Sequence, residues 1–509
     1  MRSSPPPAPD APRATTRAGS VEGVRKGAVN RFLGVPYAAA PVGDRRWRPP
    51  QALTPWTGVR PAKQHGPSAW QPVARQGFGP WTSEYVVQDE VSEDCLYLNV
   101  WAPAEPTSAA CPVLVWIHGG AFCQGSGSVP IYDGQALASQ GVIVVTINYR
   151  LGVLGFLAHP DLARESPSVA YGNFGLQDQV AALLWVQANI AAFGGDPQAV
   201  TIAGQSAGSV SVHMLVASPL AKGLFQRAIA QSGPPTLVPV KTLEQAQADG
   251  LAFAAELGQP GIQALRALPV QDLTRSLAPG PRFMPMVDGA LLPAWPLQGS
   301  DMPAASDVPM IVGQTADENS GLDPDYGSDD PATLTSLMHR CFGEHAGQMS
   351  AMYLQAAGGQ TAVAYRAASR DRWLGALWCW ADHRSRAASA PMFAYLFEHV
   401  EPGPEAQQYG AFHTSDVPYC LATLDAAPQR GFTDIDRRVS ALASGYWLNF
   451  VKQGNPNGHG LPAWPDLRPA APLMLRIGEL TTAAVMLSTP TLQAVQREVE
   501  AGGSPTILP

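Results

Sequence analysis

Short apolar runs rich in β-branched residues recur through the middle of the chain, and they constrain its fold more than any other feature. "PVLVWIHGGAF" (112–122), "GVIVVTINYRLG" (141–152) and "AVTIAG" (199–204) are followed by "FQRAIAQSG" (225–233), "VPMIVGQT" (308–315) and "PMFAYLFEH" (391–399). Strands that are apolar on both faces belong in a sheet covered on both sides, the setting of mostly parallel sheets. Helix-compatible stretches lie between them. In "NFGLQDQVAALLWVQANIAAFGGDP" (173–197), Leu176, Val180, Leu183, Leu184 and Ile190 recur at roughly helical spacing, and Gly194, Gly195 and Pro197 supply the stop. Alternating strand and helix predicts an α/β fold with a large, mostly parallel central sheet and helices on both faces. No internal repeat and no linker divides the chain.

Composition fits that body. Of 509 residues, 46% are hydrophobic and 15% charged, against about 25% charged in typical soluble domains, which is the economy of a large core with proportionally little surface. Lys and Arg number 33 against 41 Asp and Glu, for a formal charge of −8. Without a basic block to track phosphates or anionic lipid, nucleic acid and membrane are excluded as expected partners. The opening "MRSSPPPAPDAPRATT" lacks the apolar core of a secretory signal, and no apolar run approaches the ~20 residues of a membrane span. Residues 1–17 are expected to be a disordered leader. The six cysteines (Cys95, Cys111, Cys123, Cys341, Cys379, Cys420) show neither CxxC nor Cys/His clustering, so neither a disulfide framework nor a metal site is expected. A cytoplasmic location with free thiols follows as the expectation.

One serine carries the chemical signal. "AGQSAGS" places Gly204, Ser206 and Gly208 as G-x-S-x-G after a β-branched strand and before the helix-compatible "AGSVSVHMLVASP". A nucleophile elbow needs that context, because flanking glycines remove the side chains that would collide when the serine is held in a sharp turn. Upstream, "HGGAF" (118–122) ends the strand "VLVWI". Small residues there let backbone N–H groups approach a developing oxyanion, and Gly120, Ala121 and the N–H of Ala207 are the candidate donors. The acid and base should follow the serine in the chain. Asp317 or Glu318 after "VPMIVGQT", and His399 or His413 further on, qualify equally from the residues alone.

The chain resembles the type B carboxylesterases, the family of bacterial p-nitrobenzyl esterase-like enzymes, animal carboxylesterases and cholinesterases. The likeness runs through "RFLGVPYAAAPVGDRRWRPP", "SEDCLYLNVWAP", "WIHGGAF", "NYRLGVLGF", "GNFGLQDQVAALLWVQANIAAFGGDP", "GQSAGS", "AIAQSG", "VDGALLP", "GQTADENS", "GAFHTSDVPY" and "GNPN", over about residues 18 to 480. It implies a single α/β-hydrolase domain over 18–509, as a monomer or small homo-oligomer, without cofactor or metal. It implies a triad of Ser206, Glu318 and His413, with an oxyanion hole at Gly120, Ala121 and Ala207. Buried ion pairs Arg46–Glu93 and Arg150–Asp178 are implied as well. Three positions depart from the family. Gln205 stands where Glu is common, so Gln205→Glu is expected to raise the acidic limb of the pH–rate profile by stabilising the imidazolium. Thr414 replaces a usual Gly, and Cys95 lacks the upstream partner that forms a disulfide in secreted relatives.

The activity implied is hydrolysis of small uncharged carboxylic esters, short-acyl or aromatic, through an acyl-enzyme. Gly119, Phe122, Phe283 and Met284 are the candidate substrate contacts. The segments 77–85, 281–289 and 373–380 carry aromatic or other large apolar side chains suited to a gorge, although such residues are most often simply buried. A non-catalytic adhesion module of the same family conflicts with the retained Ser206, Glu318 and His413. A true lipase would be distinguished by preference for long acyl chains.

Overall fold

The structure, a computed structural model, describes residues 11–105, 109–165, 171–235, 241–259, 261–275, 282–295 and 305–500. Its centre is an eleven-stranded sheet. Strands β1 (Val24–Lys26), β2 (Val29–Pro36) and β3 (Tyr97–Pro103) come first in the chain. They are followed by β4 (Cys111–Ile117), β5 (Ile143–Ile147), β6 (Gly195–Gln205), β7 (Arg227–Gln231), β8 (Met310–Thr315) and β9 (Met392–Phe397), and then by β10 (Leu473–Ile477) and β11 (Thr482–Val485). In space the order is β11-β10-β9-β8-β7-β6-β4-β5-β3-β2-β1. Every pairing from β5 to β10 is parallel. The two margins are antiparallel.

All six apolar runs of the sequence are strands of the parallel middle. Val113, Val115, Val145, Ile202, Ala228 and Val312 lie on them with no exposed surface, as a sheet covered on both faces requires. The marginal strands are harder to read from sequence. In β11 every residue is exposed or half-exposed, so no continuous apolar run marks it.

Helix α1 (Phe174–Asn189) occupies the expected segment, and Gly194 ends it at φ 87° after a short 3₁₀ turn. Of the expected apolar stripe, Leu176, Val180 and Leu183 are buried in the helix and Ile190 in the 3₁₀ turn that follows. Leu184 is 53% exposed, whereas the polar Gln177, Asp178 and Gln179 are buried. Packed on most of its circumference, the helix accommodates polar side chains wherever a partner meets them. Asp178 is met by Arg150, whose Nε and Nη2 each lie 2.7 Å from a carboxylate oxygen. The second implied pair is also formed: Arg46 grips both oxygens of Glu93 and donates through Nη1 to the carbonyls of Arg266 and Leu268. Removing one partner of such a pair typically costs about 3–5 kcal/mol, because the other charge stays buried.

Order begins earlier than the sequence suggested. Arg13–Thr15, placed in the disordered leader, pairs antiparallel with Ser20–Glu22, which pairs in turn with Val59–Pro61. Ala14 is buried there, and the N–H of Arg17 donates to Asn189 Oδ1 at the end of α1. Strand pairing and the contact with α1, not composition, decide the order of this segment. Residues 1–10 of the expected leader lie outside the described residues. None of the six cysteines forms a disulfide, Cys95 included, and no described helix is long and apolar enough to cross a membrane.

Candidate active site

Strand β6 ends at Gln205, and helix α2 (Ala207–Ala217) begins two residues later. Ser206 turns the chain between them at φ 57° and ψ −124°, a conformation that costs an L-residue about 1–3 kcal/mol. The flanking glycines make it attainable. A Cβ on Gly208 would stand 2.0 Å from the Ile117 oxygen of β4, and one on Gly204 would stand 2.5 Å from the Gly208 carbonyl carbon. Ala207 is the first residue of α2, so its N–H lacks an intrahelical acceptor and lies at the positive end of the helix dipole.

Beside the elbow, β4 runs into the loop His118–Phe122. Three successive residues have positive φ: Gly120 at 107°, Ala121 at 52° and Phe122 at 57°. The carbonyl of Gly120 turns back to accept from the N–H groups of Cys123 and Gln124. His118 anchors the turn: it stacks on Tyr149 at 4.4 Å between centroids, shares a hydrogen bond from Nδ1 to the Gly119 oxygen, and accepts at its own carbonyl from Tyr149 Oη. Burial pushes the imidazole of His118 down to about 4, so it is a neutral wedge at physiological pH.

The two pairs of candidates left open by the residues alone have different surroundings. Glu318 is buried; its Oε1 accepts from the N–H of Thr315 and its Oε2 meets Nδ1 of His413. Asp317 instead fastens the neighbouring loop, accepting from Tyr326 Oη and from the N–H of Ala411. His399 is bound to Asp436, which also accepts from the N–H of Thr433 at the start of the helix Asp434–Gln453. Ser206 and His413 open onto one cavity of about 210 Å³, together with Gly119, Gly120 and Ala121.

Three expected contacts lie elsewhere. Phe122 is buried against Phe156, Phe283 packs against Phe253, and Met284 is half-buried against the main core. None is among the cavity's described lining. Apolar character does not say which way a side chain faces, and here all three turn into the core. The aromatic walls come from Phe78, Trp81, Tyr85, Tyr132 and Trp373. No Asp, Glu, Lys or Arg is among the described residues that line the cavity. No group of three or more His, Cys, Asp or Glu among the described residues is arranged to hold a metal.

Residues outside the expected triad support the histidine. Trp81 donates from Nε1 to the His413 oxygen at 2.9 Å and to Thr414 Oγ1 at 3.3 Å, and Thr414 itself sits at φ 86°. Below the imidazole, Asp416 has no exposed surface and accepts from Tyr395 Oη and Gln231 Nε2. Desolvation outweighs those bonds and lifts its carboxyl to about 6. Gln231, at the end of β7, also accepts at its carbonyl from the N–H of Ser206, so one strand end holds both the elbow and the floor.

The profile of the carboxylesterase family matches residues 10–495 of the chain. The chain belongs to that family. It is 36% identical over 469 residues to para-nitrobenzyl esterase of Bacillus subtilis (strain 168), covering 89% of this chain and 91% of that one. It is 36% identical over 491 residues to phenmedipham hydrolase of Pseudarthrobacter oxydans, covering 92% and 95%. Among solved structures a PNB esterase superposes with a TM-score of 0.76 at 33% identity, covering 95% of this chain and 99% of the other. This carboxylesterase has the α/β-hydrolase fold, and its activity is carboxylic ester hydrolysis.

Proposed function

We propose that this carboxylesterase hydrolyses small uncharged esters, short-acyl or aromatic, through an acyl-enzyme on Ser206, with His413 as general base and Glu318 as its orienting partner. The observation that carries the reading is that Nδ1 of His413 meets the buried Glu318 while the imidazole and Ser206 share one cavity. A carboxylate at Nδ1 fixes the ring with its lone pair at Nε2, directed to take the Ser206 proton. The alkoxide attacks the ester carbonyl, and the N–H groups of Gly120, Ala121 and Ala207 receive the oxyanion. Each such donor contributes about 2.7–4 kcal/mol in the transition state. The imidazolium then protonates the leaving alcohol, and water activated by His413 releases the acid.

Substrate class follows from the walls. Five aromatic side chains and no described charge favour a neutral, flat or short acyl group over a cation or a polyanion. A cytoplasmic site of action is part of the proposal, supported by cysteines that form no disulfide. The test is turnover of p-nitrophenyl esters of increasing chain length by wild type and Ser206→Ala. Loss of at least about 10³-fold in the variant, with short chains preferred by wild type, is the expected result. Full turnover by Ser206→Ala would falsify the assignment.

A further inference from the structure

The carboxamide of Gln205 occupies the place beside His413 that the serine hydroxyl would be expected to fill. Its Nε2 lies 3.1 Å from Nε2 of the imidazole. Gln205 is 2% exposed, at the last position of β6 and next to the elbow. The other ring nitrogen faces Glu318 Oε2. A carboxylate only accepts, so Nδ1 carries the proton and the neutral ring offers a lone pair at Nε2. The amide end that faces a lone pair must be its N–H end, since the carbonyl end would set two acceptors against each other. The lone pair that is to take the serine proton is therefore already hydrogen-bonded, and among the described residues the Ser206 hydroxyl has no partner.

We propose that Gln205 is a positioning residue: its amide N–H holds His413 in the Nδ1–H tautomer in the resting enzyme and keeps the base unprotonated to lower pH than a carboxylate there would allow. The inference rests on the reading of His413 as the base. An N–H donated to Nε2 stabilises the neutral ring and opposes addition of a proton at the same nitrogen. When substrate fills the cavity, the Ser206 hydroxyl competes for Nε2 and its proton passes there, with Gln205 neither gaining nor losing one. A glutamate in this position would act in the opposite sense, accepting from the imidazolium with nothing to give the neutral ring. The charged groups around the ring are Glu318 at Nδ1, Asp416 three residues along the same loop, Asp317 through the N–H of Ala411, and Arg430 over Phe412. The indoles of Trp81 and Trp373 stand beside it, with ring centroids 6.5 and 6.0 Å away. Only Gln205 reaches Nε2 with a side-chain donor among the described residues.

The experiment compares wild type, Gln205→Met and Gln205→Glu with a short-chain p-nitrophenyl ester, following kcat/KM against pH, alongside ¹⁵N NMR of the histidine side chains in the free enzyme. The acidic limb is expected to move up by about half a pH unit to one unit in Gln205→Met, the equivalent of one ordinary hydrogen bond, and further in Gln205→Glu. The Nε2 resonance of His413 is expected to move toward that of an unbonded lone pair in Gln205→Met. A folded Gln205→Met with an unmoved limb and an unmoved resonance would overturn the inference. Should that variant not fold, an unmoved limb in Gln205→Glu does so instead. His413→Ala separates the two levels: full activity there defeats the base assignment, whereas an inactive His413→Ala beside an unmoved Gln205→Met limb defeats the role of Gln205 alone.

Discussion

The indole N–H of Trp81 donates to the main-chain oxygen of His413 across 2.9 Å, and its ring stands edge-on to the imidazole with centroids 6.5 Å apart. The segment around it is clamped a second time. Arg430 binds the carboxylate of Glu84, donates to the Pro80 oxygen and Thr82 Oγ1, and stacks on Tyr85 and Phe412. The wall of the cavity and the loop of the histidine are therefore tied to each other by hydrogen bonds and ring contacts.

Trp81→Phe keeps a ring and removes the donor. The His413 carbonyl loses its indole partner, a defect worth about 1–3 kcal/mol when buried, and the imidazole is freed to shift. Because sub-ångström misplacement of a reacting group is expensive, kcat is expected to fall about ten- to a hundredfold with KM little changed. Steady-state kinetics beside a thermal melt would check this, and an unaltered kcat would place the clasp outside the chemistry.

Asp416 ties stability to pH in the direction opposite to a salt-bridged carboxylate. Its folded value, about 6, lies above the ordinary aspartate value of 3.8, so between these pH values the native state binds more protons than the unfolded chain. The stability this group contributes is present below about pH 4 and is lost as pH rises through about 6, a swing of about 3 kcal/mol at most. Asp416→Asn keeps an acceptor for Tyr395 and cannot ionise. Urea midpoints at pH 4.5 and 7 are expected to converge in the variant relative to wild type; parallel pH dependence in the two proteins would refute the coupling.

Gly208→Ala tests the elbow without touching a polar group. The added methyl meets the Ile117 oxygen at 2.0 Å and the His118 oxygen at 2.9 Å. Backbone cannot yield as a flexible side chain does, so β4 and α2 must separate, at a cost above the usual 1–3 kcal/mol, roughly, of overpacking. Esterase activity is expected to disappear while the protein becomes clearly less stable to denaturant. A variant of wild-type stability and turnover would show that the strand and helix are less closely apposed than described.

How far the site was legible depended on whether its parts were local. The elbow could be read because a strand, two glycines and a helix start lie within a few residues, and steric exclusion acts at that range. Glu318 and Asp317 could not be separated by such reasoning, since both follow β8 and differ only in whether they meet His413 or Ala411, 95 and 94 positions away respectively. The same holds for His399, which local pattern made equivalent to His413 until Asp436 was seen to bind it.

The amino-acid sequence alone determined the alternation of buried strand and helix, and with it the doubly covered sheet, the strained serine and the small-residue loop beside it. Periodicity and backbone sterics are set by neighbours in the chain. Tertiary structure alone decided that Trp81 holds the histidine loop, that Gln205 faces Nε2, and that Phe122, Phe283 and Met284 turn away from the cavity. Those outcomes depend on which side of a strand or loop meets a segment tens to hundreds of residues distant, and packing, not local preference, makes that choice.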